Sequence, residues 1–302
     1  MFRFILKTVG AIAGVIVILI MILSLKEIQP NNYLQAYKLK CELLENTPGP
    51  RLIFVGGSNL AFGINSKRIA DSLGINVINT GLHAGVGIKF MLDDVSQYVR
   101  VGDILIIAPE YNHFYRSIDA PTFAFVHAIA GWKKLHLLDW LQFKELLRGL
   151  PSVVYHRPDK TEVYEYYQAS NFNEVGDMAG HWSDSTGLSS IPVTSQISAP
   201  FDEKTAAYFV MKVCELKKRV EVYVIPPVCR ASAFKAMGNV PVEVANYLKD
   251  KGILFIVDPE THVKSDEYAL DTDFHMNGKG VQVFTEQLIQ ELRPYMGGYN
   301  ND

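Results

Sequence analysis

The stretch Arg51-Leu-Ile-Phe-Val55, followed by Gly56-Gly57-Ser58-Asn59, decides the fold. A short run of apolar residues without polar alternation is typical of a strand that is covered on both faces, as in a parallel sheet. The two glycines allow the chain to turn tightly where the strand ends. The sequence therefore predicts a buried strand whose carboxyl end presents the hydroxyl of Ser58.

Strands and helices alternate from this point onward. The apolar runs predict five strands, at residues 52–55, 76–79, 104–107, 222–225 and 253–257. Helical periodicity predicts helices at residues 66–73 (with Ser66 as the N-cap), 87–98, 202–218, 242–251 and 280–292. This order predicts an α/β fold, with a doubly wound, mostly parallel five-stranded sheet and helices on both faces.

An insert at about residues 120–200 interrupts the alternation. It is rich in aromatic residues, and two helices are predicted within it, at residues 121–131 and 138–147. We expect it to cap a pocket or to form a docking face toward a membrane or a partner. Its most conspicuous side chains favour packing or a membrane-facing surface over a cofactor site: His127, Trp132, His136 and Trp140. A polar group favours a solvated loop over a metal site: Asn173, Glu174, Asp177 and His181.

The N-terminus predicts a membrane anchor. Arg3 and Lys7 precede an uncharged apolar run from Thr8 to Leu25, which is long enough to cross a bilayer as a helix. A cleaved signal peptide is the alternative, but no small-residue cleavage motif follows the run. The basic flank predicts a single pass with a cytoplasmic N-terminus and an extracytoplasmic main domain, in a periplasm or at a cell surface. The predicted organisation is a transmembrane anchor at 1–27, a stalk at 28–50 and one domain at 51–302.

The composition of the chain excludes some classes of binding partner and cofactor. The 29 basic and 32 acidic residues give a net charge of −3, and no dense basic stretch follows the N-terminus, so nucleic acid is not an expected partner. The 3 cysteines are too few and too scattered for a disulfide framework or a zinc site, and we expect Cys214 and Cys229 to be buried thiols. No metal or other cofactor is predicted.

A second polar segment, Asp271-Thr-Asp-Phe-His275, precedes the last predicted helix. An activated serine needs a base within hydrogen-bond reach and a third group that orients the base. His275 is the candidate base for Ser58, and either Asp271 or Asp273 could orient it. Functional groups of open α/β sheets gather at the carboxyl ends of the strands, where both segments are expected to lie.

Two further loops follow predicted strands at this edge. Backbone N–H groups of Ser58 and of Gly81 or Gly85, together with the Asn112 side chain, could stabilise an oxyanion. Glu110 could bind either a backbone N–H or the substrate. His83 and His113 favour structural roles on these loops, with His113 also a candidate to line the pocket.

These motifs resemble the SGNH (GDSL-like) hydrolase superfamily over roughly residues 51–294, without the insert. Gly56-Gly57-Ser58-Asn59 stands where the family has Gly-Asp-Ser, so the resemblance implies that Ser58 is the nucleophile. Gly81 or Gly85 matches the second-block glycine, Asn112 the third-block asparagine and His275 the base. The chain departs from the family at Gly57, which replaces an aspartate, and at Thr272, which stands where the family's aspartate precedes the histidine.

The resemblance implies an extracytoplasmic serine-dependent acyl-ester hydrolase or O-acyltransferase that acts on a cell-envelope glycan or a related ester. The anchored layout is similar to envelope proteins of this superfamily that assist D-alanylation and O-acetylation. It implies a membrane-bound O-acyltransferase as a partner and an envelope polysaccharide or acyl ester as the substrate.

Three alternatives remain open from the residues. A chain that keeps this fold without catalysis could serve a membrane acyltransferase or a polysaccharide assembly complex. The glycine-rich turn could instead bind phosphate as an anion nest, although it lacks the lysine of a P-loop. The turn taken alone is also typical of a simple strand end or helix cap.

Overall fold

The structure, a computed structural model, describes residues 2–25, 31–118, 134–140, 142–144, 166–187 and 191–296. Its centre is a 4-stranded sheet in the order β2-β1-β3-β4, and every pairing in it is parallel. The strands are β1 (Arg51–Gly56), β2 (Asn76–Asn79), β3 (Ile104–Ala108) and β4 (Glu221–Val224). The predicted α/β class with a mostly parallel sheet is confirmed.

Helices cover both faces of this sheet. The longer described helices are α1 (Phe2–Leu25), α2 (Ala36–Asn46), α3 (Ser58–Ala61), α4 (Ser66–Leu73), α5 (Ile88–Val95), α6 (Glu203–Leu216), α7 (Ala231–Met237), α8 (Val240–Asp250) and α9 (Gly278–Leu292). Ile53 and Val55 of β1 pack in one core cluster with α5, α6 and α8. Leu52 and Phe54, which alternate with them, pack with α4 and α9 on the other face. The sheet is therefore doubly wound, as expected when alternate side chains of a strand are both apolar.

The prediction of a five-stranded sheet is wrong in its last strand. Residues 253–257 make only an isolated parallel bridge, between Val224 and Phe255, supported by the Ile256 N–H donating to the Val224 carbonyl at 3.0 Å. Pro226 and Pro227 follow β4 and carry no N–H, so a longer ladder cannot form beyond this point. A short two-stranded sheet of β5 (Cys229–Arg230) and β6 (Val263–Lys264) lies separately.

Two local predictions are also corrected. Asn65, not Ser66, caps α4, because the Asn65 side chain accepts a hydrogen bond from the Arg68 N–H at 2.9 Å. Cys229 is buried as expected, but Cys214 is exposed on α6, where helical rotation turns it away from the sheet, and all three cysteines are free.

The N-terminal segment is helical, and α1 covers 24 residues. Among the residues that the structure describes, no helix meets the length and hydropathy required of a membrane span. The anchor, the stalk and the localisation that depends on them stay predictions.

The insert divides into two parts. The helix predicted at 121–131 lies outside the described residues, as do His127 and Trp132; of the helix predicted at 138–147, residues 140 and 142–144 are described and helical. The exposed side chain of Trp140 lies on this segment. The returning part, residues 166–187, packs into the domain rather than standing apart as a lid.

A buried polar network holds this returning part. The Asp177 carboxylate accepts from the N–H and hydroxyl of Ser66, at 2.7 and 2.6 Å, and from Asn79 Nδ2 at 2.8 Å. Lys40 donates to the carbonyls of Asn79 and Gly176, and burial lowers the pKa of Lys40 to about 7. Asp177 therefore joins the insert to α4 and β2.

A second buried interaction fixes the opposite end of β1. The Arg51 guanidinium donates to both oxygens of Asp103, at 3.0 and 2.5 Å, and both side chains are fully buried. Arg51 also donates to the carbonyls of Leu44 and Tyr98, which ties α2 and the loop before β3 to the sheet. Such a pair is costly to break because the remaining charge is left without compensation.

We predict that Asp103→Asn lowers the free energy of unfolding by about 3–5 kcal/mol, since Arg51 would keep its charge without a counterion. The full chain in detergent would be unfolded with urea and followed by circular dichroism. Glu286→Gln is the matched control, because it breaks an exposed pair with Arg68 and should cost far less. Equal losses in the two variants would contradict the prediction.

Candidate active site

The candidate site lies at the carboxyl edge of the sheet, where the strand order reverses between β1 and β3. Gly56 at the end of β1 pairs with Ala108 at the end of β3. The loops that follow these strands therefore leave the sheet side by side. This is the position at which open α/β sheets usually place their ligands.

Ser58 is the first residue of α3, and Gly57 precedes it as the N-cap. The side chain is half-buried, and its hydroxyl makes no hydrogen bond with any residue in the described part of the chain. Its backbone N–H is likewise unpaired within the described residues, as expected at the start of a helix. Ser58 thus offers a rotatable hydroxyl and an adjacent N–H donor at the edge of the sheet.

His275 is held by a carboxylate and a phenol. Its Nδ1 lies 2.8 Å from Asp271 Oδ1 and 3.0 Å from the Tyr167 hydroxyl, which also donates to Asp271 Oδ2 at 2.7 Å. Burial works against ionisation of Asp271, but the hydrogen bonds from His275 and Tyr167 lower the pKa of its carboxyl. The ionised Asp271 keeps a proton on Nδ1 and leaves Nε2 as the acceptor.

Asp273, the other candidate for orienting the base, is engaged elsewhere. It pairs with Arg230 at 2.7 Å and accepts from the Thr194 N–H at 2.7 Å and the Ser195 hydroxyl at 2.5 Å. Burial opposes its ionisation, yet the bonds from Ser195, Arg230 and Thr194 lower its pKa. Of the two aspartates that the sequence left open, the geometry assigns Asp271 to His275.

Phe62 links the serine to the histidine. The Phe62 N–H donates to the Ser58 carbonyl at 2.9 Å, so the two residues are one helical turn apart on the same side of α3. The His275 ring stacks on the Phe62 ring, with centroids 4.1 Å apart and planes at 9°. The base therefore rests against the turn that carries Ser58, although no hydrogen bond joins their side chains in this structure.

The two glycines predicted to supply oxyanion donors are already paired. The Gly81 N–H donates to Asn79 Oδ1 at 2.8 Å, and the Gly85 N–H donates to His83 Nδ1 at 2.9 Å. Both loops use these groups to close local turns, which a sequence motif does not reveal. Of the donors predicted from the sequence, the Ser58 N–H has no partner among the described residues, and the Asn112 side chain has only its 3.4 Å bond to Glu110.

Glu110 occupies the space beside the turn formed by Gly57 and Ser58. Its carboxyl accepts long hydrogen bonds, each of 3.4 Å, from the Asn59 N–H and from Asn112 Nδ2. A Cβ atom at Gly57 would lie 2.4 Å from Glu110 Oε1. Position 57 therefore requires glycine, because the Glu110 carboxyl and the Ala84 backbone, 3.1 Å from the same point, occupy the space that a side chain would need.

The Glu110 side chain is buried. Burial raises the pKa of its carboxyl, and the charge of His275 and the bond from Asn59 oppose this rise. Of the two roles expected for Glu110, the bond to a backbone N–H is the one seen, with Asn59 as the donor.

The remaining histidines of these loops have structural partners. His113 accepts from the Glu110 N–H at 3.1 Å and contacts the Ala84 carbonyl at 3.0 Å, and burial lowers its pKa to about 4. His83 closes the turn at Gly85 but stays exposed. Neither ring is positioned as a second base for Ser58 by a hydrogen bond among the described residues.

Metal ligation has no support in the geometry. Across the described ranges, no group of three or more histidine, cysteine, aspartate or glutamate side chains could hold an ion. Asn173 and Asp177, which could have suggested a site, instead bond to each other at 3.3 Å within the network around Ser66.

Sequence reasoning missed Tyr167 and Phe62. Tyr167 reaches His275 from 108 residues away, through the insert. The aromatic run Tyr164-Glu-Tyr-Tyr167 in the insert is the only sequence signal of it, and that signal does not say where the run packs. Phe62 could have been inferred from its helical spacing to Ser58.

No protein-family model, curated protein or solved structure matches the chain.

We predict that Gly57→Ala destabilises the protein by about 1–3 kcal/mol, because the new methyl group meets Glu110 Oε1. The added cost should be smaller when Gly57→Ala is made in Glu110→Ala, which removes that atom. Urea unfolding of the two single variants and the double variant gives the coupling energy. Strict additivity would show that Glu110 does not restrict position 57.

Proposed function

We propose that the chain is a serine-dependent acyl-ester hydrolase or O-acyltransferase of the SGNH type that acts outside the cytoplasm. The observation that carries the proposal is the hydrogen bond of 2.8 Å between Asp271 and His275. The His275 imidazole also stacks on Phe62, which follows Ser58 by one helical turn. A histidine oriented by a buried carboxylate, with its second nitrogen unpaired among the described residues, is suited to activate a hydroxyl.

In the first step, Ser58 Oγ attacks the ester carbonyl while His275 Nε2 takes the hydroxyl proton. The carbonyl electrons move onto oxygen, and the resulting tetrahedral adduct collapses by expelling the alkoxide. The imidazolium returns its proton to this leaving group, and the acyl group stays on Ser58. Asp271 stabilises the imidazolium that forms between these events.

The developing oxyanion has two candidate donors. The Ser58 N–H lies next to the attacking oxygen, and Asn112 Nδ2 has only a long bond to Glu110 to give up. A rotation about the Cα–Cβ bond of Ser58 would redirect its hydroxyl, which makes no hydrogen bond among the described residues, for proton transfer to His275.

In the second step, water or a sugar hydroxyl gives its proton to His275 and attacks the acyl carbonyl. The bond between the acyl carbon and Ser58 Oγ then breaks, and the imidazolium returns its proton to the Ser58 oxygen, which frees the product and regenerates the serine. Water makes the chain an esterase and a glycan hydroxyl makes it an acyltransferase. The acyl-enzyme and the base are the same in both outcomes. The acceptor is set by what binds beside Ser58.

The N-terminal sequence supports an extracytoplasmic setting. A basic flank followed by the uncharged run from Thr8 to Leu25 fits a single-pass anchor with the domain on the outer side. A substrate in the cell envelope and a membrane O-acyltransferase as partner fit this proposed setting.

A non-catalytic partner protein is the second candidate, favoured by Glu110. Its carboxyl bonds to the Asn59 N–H beside Ser58, at the edge where negative charge would develop during acyl transfer. The engaged N–H groups of Gly81 and Gly85 also reduce the number of oxyanion donors. In this function the fold would present the site to another subunit without turning over esters.

Ser58→Ala and His275→Ala are each expected to lower ester hydrolysis by at least about 100-fold, with the double variant scarcely worse, since the two residues act as one unit. The purified full chain would be assayed with 4-nitrophenyl acetate and with a fluorophosphonate probe that labels activated serines. An unlabelled wild-type protein with no turnover would exclude the enzyme and leave the partner protein.

The two aspartates give a matched comparison within this experiment. Asp271→Asn should abolish most activity with little loss of stability, because it removes the charge that orients His275 and leaves no buried cation unpaired, while an amide oxygen can still accept from Tyr167. Asp273→Asn should instead lower stability, since it leaves the buried guanidinium of Arg230 without its partner. The reverse pattern would assign Asp273 as the orienting residue.

The topology can be tested independently of catalysis. A reporter fused after Asp302 should be active only outside the cytoplasm, and the full-length protein should stay in the membrane fraction because the run ending at Leu25 is retained. Reporter activity in the cytoplasm, or a mature chain that starts after Leu25, would contradict the anchor.

A further inference from the structure

A cavity of about 420 Å³ adjoins the candidate active site. Its wall includes Asn112 and Thr272, which belong to the two loops that carry Glu110 and Asp271. Residues 194–199, from the far end of the insert, close the opposite side. The cavity therefore lies beside two of the loops that carry candidate site residues, and it is large enough for a short acyl or alcohol group.

Among the residues that the structure describes, the wall of this cavity has one positive charge that is free to bind a ligand and one negative charge that is already paired. Arg116 and Asp273 are the charged residues in its wall. The Asp273 oxygens are taken up by Arg230, Thr194 and Ser195. Asp273 therefore has little capacity left to bind a cation, and its charge is already neutralised by a buried guanidinium.

Arg116 has no such partner. Its side chain is exposed, and in the described part of the chain its guanidinium makes no hydrogen bond or ion pair. Its backbone is nevertheless fixed, because the Arg116 carbonyl accepts from the Thr205 hydroxyl at 2.9 Å. The positive charge also reaches the catalytic edge: burial raises the pKa of Glu110, and Arg116 is among the charges that oppose the rise.

The rest of the wall suits a small polar group on a short carbon chain. Gln196 and Ser198 bring further polar side chains, while Ile197, Met237 and Phe274 provide apolar surface. A planar guanidinium with free donors binds carboxylate or phosphate oxygens in a two-point geometry. A neutral ester would leave these donors without an anion.

We propose that this cavity is the subsite for an anionic group of the ester substrate, which Arg116 binds. This inference rests on the proposed esterase or acyltransferase function and adds a substrate class to it. The substrate carries a carboxylate or a phosphate within a few bonds of the reacting ester. Carboxylate and phosphate share the chemistry that Arg116 recognises, and the probes below separate them.

Binding would be measured on the full chain carrying Ser58→Ala, so that no ester is consumed. Isothermal titration calorimetry would compare monomethyl succinate with dimethyl succinate, which differ by one negative charge. We expect the monomethyl ester to bind about tenfold more tightly at low salt. Monomethyl phosphate is the third probe, and tighter binding than the succinate would assign a phosphate-bearing substrate.

Substitutions then locate the charge. Arg116→Gln should abolish the preference for the anionic ester, and Arg116→Lys should keep part of it because the charge remains without the planar fork. Arg68→Gln removes the same charge from an exposed helix position outside the cavity and should keep the preference. Equal binding of the two succinate esters, undetectable binding of both, or an unchanged preference in Arg116→Gln would overturn the subsite.

Fluorophosphonate labelling of the wild-type chain separates this inference from the proposed function. Labelling without any preference for an anion would leave the enzyme standing and reject the subsite. An Arg116-dependent preference without labelling or ester turnover would retain the anion site and reject the esterase.

Discussion

The pairing of Gly56 with Ala108 is the constraint on which the candidate site depends. A Cβ at Gly56 would lie 2.6 Å from the Ala108 carbonyl oxygen, so only glycine lets β1 end this close to β3. The two segments that follow β1 and β3 stay equally close one residue later, where Gly57 lies against the carboxyl of Glu110. Since the two strands leave the sheet side by side, a serine turn and a buried carboxyl arrive together. The positions of Ser58, Glu110 and Asn112 follow from this strand register.

The loop before α9 carries the remaining residues of the candidate site. Its two aspartates have different roles because they bind different buried partners. Asp273 is consumed by a guanidinium and two hydroxyls, which fixes the loop against residues 194–195. Asp271 is left with His275 and Tyr167, so its charge acts on the imidazole. In the SGNH superfamily, which the motifs resemble, an aspartate lies three residues before the histidine, and here Thr272 stands at that position. Asp271, four residues before His275, can still reach the imidazole because Asp273 holds the loop in place through Arg230, Thr194 and Ser195. Loss of the Asp273 carboxylate should therefore change the conformation of the loop before it changes the orientation of His275.

Local pattern was sufficient for the sheet and most helices because each depends on residues close in sequence. The apolar runs at β1 and β3 predict strands, and the periodicity of α6 and α9 predicts helices, without information from elsewhere in the chain. The prediction of a fifth strand is wrong for a partly non-local reason: residues 253–257 meet β4 only at Val224, and Pro226 and Pro227 prevent pairing beyond that bridge. At the site, Ser58 and His275 could be found from residue type and order, whereas the choice of Asp271 over Asp273 required Arg230. The engagement of the Gly81 and Gly85 N–H groups was equally invisible, because it depends on side-chain geometry in loops.

The protonation state of Glu110, rather than its position, would distinguish the two proposed functions. An ionised carboxyl beside Ser58 would repel an oxyanion, which suits a protein that does not turn over esters. Burial raises the pKa of Glu110 and so favours the neutral acid, which does not oppose the developing charge. His275 and Arg116 act in the other direction, since each positive charge favours the carboxylate. An anionic substrate held at Arg116 would offset that positive charge, so the bound complex would favour the neutral form of Glu110 more than the free protein does.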